Sequence, residues 1–76
     1  MWYSFTKLSE TEDSVVYAFG YESRERTGRL EYDKKTKKTT VLQDSANKTY
    51  FADLSYATYQ LIERCGAPDE KTIAYG

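Results

Sequence analysis

The segment from Ser14 to Tyr21 constrains the fold more than any other part of the chain, because large and small side chains alternate along it. The large set is Val15, Tyr17, Phe19 and Tyr21, and the small set is Val16, Ala18 and Gly20. Successive side chains of a β-strand point to opposite faces, so a period of two in β-branched and aromatic residues predicts a strand. We expect this strand to be central in its sheet. The period leaves open which of its faces is buried, and a helix would also fit against the small face.

Three further runs of mixed apolar and polar residues predict strands over residues 2–8, 29–32 and 39–42. The lysine-rich segment between the last two predicts a hairpin. All the connections are short, whereas parallel neighbours need crossovers of about a dozen residues or more, so the strands should form an antiparallel meander. The tail over residues 71–75 is expected to add a short edge strand or to fray.

A helical period begins at Phe51. At about 100° per residue, the apolar positions group on one side of a helix near residues 50–65. These positions are Phe51, Leu54, Ala57 or Thr58, Leu61, Ile62 and Cys65. Leu54, Thr58, Leu61 and Cys65 are predicted to face the sheet. Asn47 or Thr49 would cap the start of the helix, and Gly66 followed by Pro68 would end it.

The predicted order of elements is therefore β-β-β-β-α, with an optional C-terminal strand. A helix must bury its apolar side, and a single sheet face is the surface available to it. We expect residues 1–76 to form one small α+β domain, in which the helix packs on one face of a small antiparallel sheet.

The chain has no histidine and a single cysteine, which argues against catalysis. Histidine is the side chain best placed to transfer protons near neutral pH and the commonest metal ligand. Cys65 is predicted at a helix C-terminus, where the helix dipole disfavours a thiolate, and we interpret it as a packed apolar residue. The glycines form no phosphate-binding loop. We therefore expect no enzymatic activity, no cofactor and no metal ion.

The charge and hydropathy patterns bear on location. A net charge of −1 provides no field that would draw the chain onto nucleic acid or an anionic membrane. No apolar run approaches the roughly 20 residues that span a bilayer, and the N-terminus lacks a secretory signal pattern. A lone cysteine forms no internal disulfide. We expect a cytoplasmic protein without membrane association, although a mature secreted domain without disulfides remains an alternative.

The side of the predicted helix opposite the apolar stripe carries Tyr56, Tyr59 and Glu63. Tyrosine is enriched at protein interfaces because it is large, fairly rigid and able to form hydrogen bonds. We expect all three residues to be more than a third exposed and to form part of a protein-binding surface. The alternative is that they are ordinary exposed residues, or that one ring folds over the sheet edge.

Four lysines in the predicted hairpin, Lys34, Lys35, Lys37 and Lys38, suggest a second hypothesis. Clustered ammonium groups bind phosphates, and exposed tyrosines of the sheet would stack on unpaired bases. The same lysines would also keep the turn soluble and discourage edge pairing. The sequence favours a non-enzymatic module that binds another protein, such as an inhibitor, adaptor or immunity-type protein, including one encoded by a phage or mobile element. Nucleic-acid binding and homodimer formation are the alternatives.

Overall fold

The computed structural model describes residues 1–74, which form a five-stranded antiparallel sheet and one helical segment. The strands are β1 (Trp2–Glu10), β2 (Ser14–Tyr21), β3 (Gly28–Asp33), β4 (Lys38–Gln43) and β5 (Glu70–Ala74). The helical segment is α1 (Phe51–Tyr59), which continues into a π turn (Gln60–Arg64). The strands lie in the order β4-β3-β2-β1-β5, so β2 is central. The predicted α+β fold is confirmed and the tail strand is present, while Tyr75 lies outside the described residues.

The helix covers the large face of the sheet, which decides the question that the period of β2 left open. Val15, Tyr17 and Phe19 are fully buried beneath it, together with Leu54 and Leu61 from the helical segment. The whole core comprises Tyr3, Phe5, Val15, Tyr17, Phe19, Leu30, Tyr32, Leu54, Ala57, Leu61, Ile62 and Ala67. Large rings bury much area per residue, so they supply a core that a chain of this length would otherwise lack.

The small face of the sheet is partly covered by the loop over residues 22–27. The Ser4 hydroxyl donates a hydrogen bond of 2.6 Å to the Ser23 carbonyl in this loop. A Cβ atom at Gly20 would lie 2.5 Å from the carbonyl oxygen of Glu25. Gly20 is therefore needed for the close approach of the loop, and this loop takes the place that a second packed element would otherwise occupy.

Buried tyrosine hydroxyls find partners at the rim of the core. The Tyr17 hydroxyl donates a hydrogen bond of 2.6 Å to the carbonyl of Pro68, which follows the helix. Burial, with the nearby charge of Glu10, raises the pKa of Tyr17, so its hydroxyl stays protonated and keeps donating. This bond ties the connection between the helix and β5 to the central strand.

The predicted N-terminal cap of the helix is wrong. The N-cap residue is Tyr50, and no side chain caps the first turn. Thr49 instead donates to Oδ1 of Asp44 at 3.1 Å, and the Asn47 amide donates to the Tyr21 carbonyl at 2.9 Å. Both side chains hold the segment before the helix in place, so neither satisfies the free N–H groups at the helix start.

The π turn changes which residues face the sheet. The Cys65 N–H donates to the Gln60 carbonyl at 3.1 Å, five residues back, so this turn holds more residues than an α-helical turn. Cys65 is consequently exposed, and its predicted packing against the sheet is wrong. Phe51, also assigned to the apolar stripe, is 57% exposed. Gly66 ends the segment with a φ of +78°, as predicted.

Candidate protein-binding surface

Several aromatic side chains are exposed along the helical segment. Tyr56 is 52% exposed and Tyr59 is 40% exposed, one helical turn apart. Tyr50 and Phe51 are exposed at the start of the same helix. We call Tyr50, Phe51, Tyr56 and Tyr59 the helix ridge. Most of the large exposed apolar residues in the described part of the chain belong to it.

The exposure of the helix ridge contrasts with the rest of the aromatic content. Tyr3, Tyr17 and Tyr32 are completely buried on the sheet, as are two phenylalanines. Burying an aromatic ring is favourable in water, and a surface ring leaves that free energy unrealised. The helix ridge is therefore apolar area that the described residues leave exposed.

Glu63 is exposed, as the α-helical period predicted, and its carboxylate also contacts the edge of the sheet. Its Oε2 accepts a hydrogen bond of 2.9 Å from the Tyr32 hydroxyl, and its Oε1 accepts one of 2.9 Å from the Lys37 ammonium. The residue as a whole is exposed, but its side chain is only 26% exposed. The π turn aims the carboxylate at β3 and the β3–β4 hairpin, so Glu63 connects the helix to the sheet edge.

The charges around Glu63 reinforce this connection. The hydrogen bonds from Lys37 and then Tyr32 hold the pKa of the Glu63 carboxyl below its usual value. The same contact raises the pKa of Lys37. Burial, and then the bond to Glu63, raise the pKa of Tyr32. All three groups thus keep the protonation states that suit their hydrogen bonds near neutral pH.

Most of the hairpin lysines are engaged within the molecule. The ion pairs are Lys34–Glu10 at 2.7 Å, Lys35–Asp13 at 3.3 Å and Lys37–Glu63 at 2.9 Å. Lys38 is exposed and has no carboxylate within 4.0 Å in the part of the chain that the structure describes. Paired ammonium groups present less positive potential to a phosphate, so the hairpin is a weaker anion-binding surface than its sequence suggests.

A groove of about 340 Å³ lies beside the helix ridge, between the first turns of α1 and the start of β4. It is lined by Lys37, Lys38, Thr39, Phe51 and Ser55. The sequence does not indicate this groove, because the helical period places Phe51 in the buried stripe. Phe51 is the first residue of α1, and the helical period does not determine how much of the sheet lies beneath that first turn.

On the other side of the helix, a second groove of about 400 Å³ separates the helical segment from β5. Tyr56, Gln60, Arg64 and Cys65 form its helical wall. Residues 1–74 contain no group of three or more histidine, cysteine or acidic side chains that is placed to hold a metal ion. Within the same residues, no helix is long and apolar enough to span a membrane.

Comparison of the chain with protein-family models, curated proteins and solved structures finds no match.

Proposed function

We propose that this protein is a small, non-enzymatic binding module that recognises another protein through the helix ridge. The observation that carries the proposal is the exposure of Tyr56 and Tyr59, one turn apart, on a helix whose opposite side already supplies a complete core. Rigid aromatic rings with a hydrogen-bonding tip are the side chains that most often dominate binding energy at protein interfaces.

The helix that carries the helix ridge is held by buried side chains and by polar contacts, which favours a pre-organised interface. Leu54, Leu61 and Thr58 are fully buried beneath the helix, and the Tyr32–Glu63–Lys37 contacts hold its final turn. A surface that is already ordered loses less conformational freedom on binding than a mobile one. A rigid helix that presents tyrosines is suited to bind a partner without rearrangement.

An inhibitor, adaptor or immunity-type protein of the cytoplasm fits this description, including one encoded by a phage or mobile element. These roles need a stable binding surface and no chemistry. The proposal includes no acid–base catalysis, because the sequence has no histidine, the side chain that most often performs it. The two-layer fold is by itself compatible with many functions, so the proposal depends on the helix ridge.

Nucleic-acid binding has less support, because most of the hairpin lysines are paired with carboxylates. Its test is the binding of a fluorescent single-stranded oligonucleotide to the wild type and to a variant in which Lys34, Lys35, Lys37 and Lys38 are changed to glutamine. Binding that falls steeply with salt and is lost in the variant would support the nucleic-acid alternative over the helix ridge.

The direct test of the helix ridge is site-specific photo-crosslinking in living cells of the native host. A photoreactive phenylalanine analogue at Tyr56 should form a covalent adduct with a discrete partner protein. The same analogue at Leu8 provides the matched control, since Leu8 is similarly exposed at 50% but lies on β1. Equal adducts from both positions, or none from Tyr56, would contradict the proposal.

A further inference from the structure

The outer edge of β4 has open backbone hydrogen-bonding groups. The Lys34 N–H donates to the Asp13 carbonyl at 2.9 Å, and Ser14 lies opposite Asp33. In an antiparallel ladder this pattern turns the backbone groups of Asp33 away from β2 and towards β4. The backbone N–H and C=O groups of successive residues in a strand point alternately to one neighbouring strand and to the other. The pairing of β3 with β4 therefore determines where the backbone groups of each β4 residue point.

Asp33 is paired with Lys38, and Glu31 with Thr40, so Lys38 and Thr40 direct their backbone groups inward to β3. Thr39 and Val41 between them therefore direct their N–H and C=O groups outward. No other segment within residues 1–74 forms a backbone hydrogen bond with these outward groups. An edge of this kind is a template for another strand.

The groove beside the helix ridge lies directly along this edge. Thr39 lines it from β4, and Phe51 lines it from α1. A strand added next to β4 would place an apolar side chain opposite Thr39, where it would cover the exposed Phe51 ring. The neighbouring residue of that strand, pointing to the other face, would lie opposite Lys38.

The charge of Lys38 indicates which side chain the added strand should place opposite it. Lys38 has no carboxylate within 4.0 Å in the described residues, because Oδ1 of Asp33, its neighbour on β3, accepts from the N–H groups of Lys35 and Thr36, and the carboxylate of Glu63 is held by Lys37. The edge therefore has, at one end of an apolar groove, an exposed ammonium group that makes no ion pair within the described residues. A carboxylate opposite Lys38 would complete the pairing, while a second lysine there would be repelled.

We propose that β4 accepts an extended segment of the partner protein as a sixth strand, with an apolar side chain in the groove and an adjacent acidic side chain at Lys38. This inference rests on the proposed function and specifies how the partner is recognised. Backbone hydrogen bonds to Thr39 and Val41 supply affinity, and the groove with Lys38 supplies specificity.

A second copy of this chain fits the edge less well. A two-fold axis through Thr40 would bring Thr39 of each copy opposite Val41 of the other, which uses the outward groups fully. The same register places Lys38 opposite Leu42, so the lysine gains no carboxylate. Self-pairing in this register would leave Lys38 without an ion pair, whereas an acidic partner segment would supply one.

The test selects random dodecapeptides displayed on phage against the folded, full-length chain. We expect enriched peptides to contain an apolar residue next to aspartate or glutamate. The Kd of the best synthetic peptide is then measured against four variants. Thr39→Pro removes one outward N–H and should weaken binding about tenfold, since that bond is lost, whereas Thr39→Val keeps it and should bind normally. Lys38→Glu should also weaken binding about tenfold or more, and the fourth variant, with serine at both positions 56 and 59, should bind normally.

The outcomes separate this inference from the proposed function. If no peptide is enriched, or if the enriched peptides are basic, strand addition of this kind is wrong. If peptide binding is lost in a variant with serine at positions 56 and 59 but is unchanged by Lys38→Glu, the helix ridge is supported and the β4 edge is not. If Thr39→Pro does not fold, Lys38→Glu decides alone, because its side chain is exposed. If sedimentation shows a dimer that Lys38→Glu disrupts and peptides do not bind, the occupant is a second copy.

Discussion

The hydroxyl of Tyr32 in β3 donates a hydrogen bond of 2.9 Å to the carboxylate of Glu63 in the π turn, 31 residues later in the chain. The ring of Tyr32 is completely buried in the core, whereas its hydroxyl reaches the rim where the carboxylate lies. One side chain thus contributes apolar burial to the sheet and a polar anchor to the end of the helix.

Removing this anchor while keeping the ring should destabilise the protein modestly. Tyr32→Phe loses one hydrogen bond and should lower the free energy of unfolding by about 0.5–1.5 kcal/mol, measured by urea denaturation. Tyr59→Phe is the matched control, since that ring is exposed and the change should stay within about 0.5 kcal/mol. Equal effects from both variants would show that the Tyr32–Glu63 bond does not stabilise the fold.

Replacing Tyr56 and Tyr59 together by serine should separate binding from folding. Each surface change is expected to alter the free energy of unfolding by no more than about 0.5 kcal/mol. Affinity for the crosslinked partner should fall by about 2 kcal/mol or more if either ring is a hot spot, as titration calorimetry would measure. Leu8→Ser changes an exposed apolar side chain on β1, away from the helix ridge and from β4, and should bind normally. Unfolding of the tyrosine variant would instead assign these rings a structural role.

Leu61 is a core position in the π turn and should be sensitive to truncation. It is fully buried against the sheet, so Leu61→Ala removes apolar contacts and leaves a cavity. We expect a loss of about 2–5 kcal/mol in the free energy of unfolding, measured by chemical denaturation. Leu8→Ala, at an exposed position of β1, provides the comparison. A cost for Leu61→Ala as small as that for Leu8→Ala would contradict the described packing.

Acid should weaken the protein partly through Glu10. Hydrogen bonds from Lys34 and then Lys7 lower the pKa of the Glu10 carboxyl from 4.5 to about 2. A carboxyl whose folded-state pKa is depressed stabilises the fold above its unfolded pKa, and this contribution is lost as the pH falls. The free energy of unfolding should therefore decline between about pH 5 and pH 2.

The Glu10→Gln variant should show a shallower decline over the same pH window, because its side chain has no proton to bind. Glu12→Gln provides the control, since Glu12 makes no ion pair within 4.0 Å in the described part of the chain. An unchanged acid slope for Glu10→Gln would show that its contacts with Lys34 and Lys7 do not persist in solution.

The sequence predicts the elements of this fold well because each carries a strong local period. The alternation over Ser14–Tyr21 matches β2 in both bounds, and the helical stripe matches α1 with its π turn to within about a residue at each end. The covered face of β2 was not predictable, because both faces of that strand are apolar. The covering contacts come from Leu54 and Leu61, far along the chain.

The candidate site was only partly predictable. The exposure of Tyr56 and Tyr59 follows from the α-helical period, which holds as far as Tyr59. The same period places Cys65 incorrectly and does not predict the contacts of Glu63 with Tyr32 and Lys37, because the turn that carries both residues is a π turn. No glycine or proline lies within residues 60–64 to signal it. Glu63 in this turn contacts Tyr32 and Lys37, which lie far away in the sequence, so no local pattern predicts these contacts.

A π turn has the geometric effect of one residue inserted into an α-helix. Deleting one residue between Tyr59 and Gly66 would restore a continuous α-helix that still ends at the glycine. In such a chain the Glu63 carboxylate would no longer point towards Tyr32 and Lys37, although the hydrophobic pattern would be more regular. A relative of this protein with a single-residue gap at this point would therefore keep the sheet and the core but lack the anchor at the end of the helix.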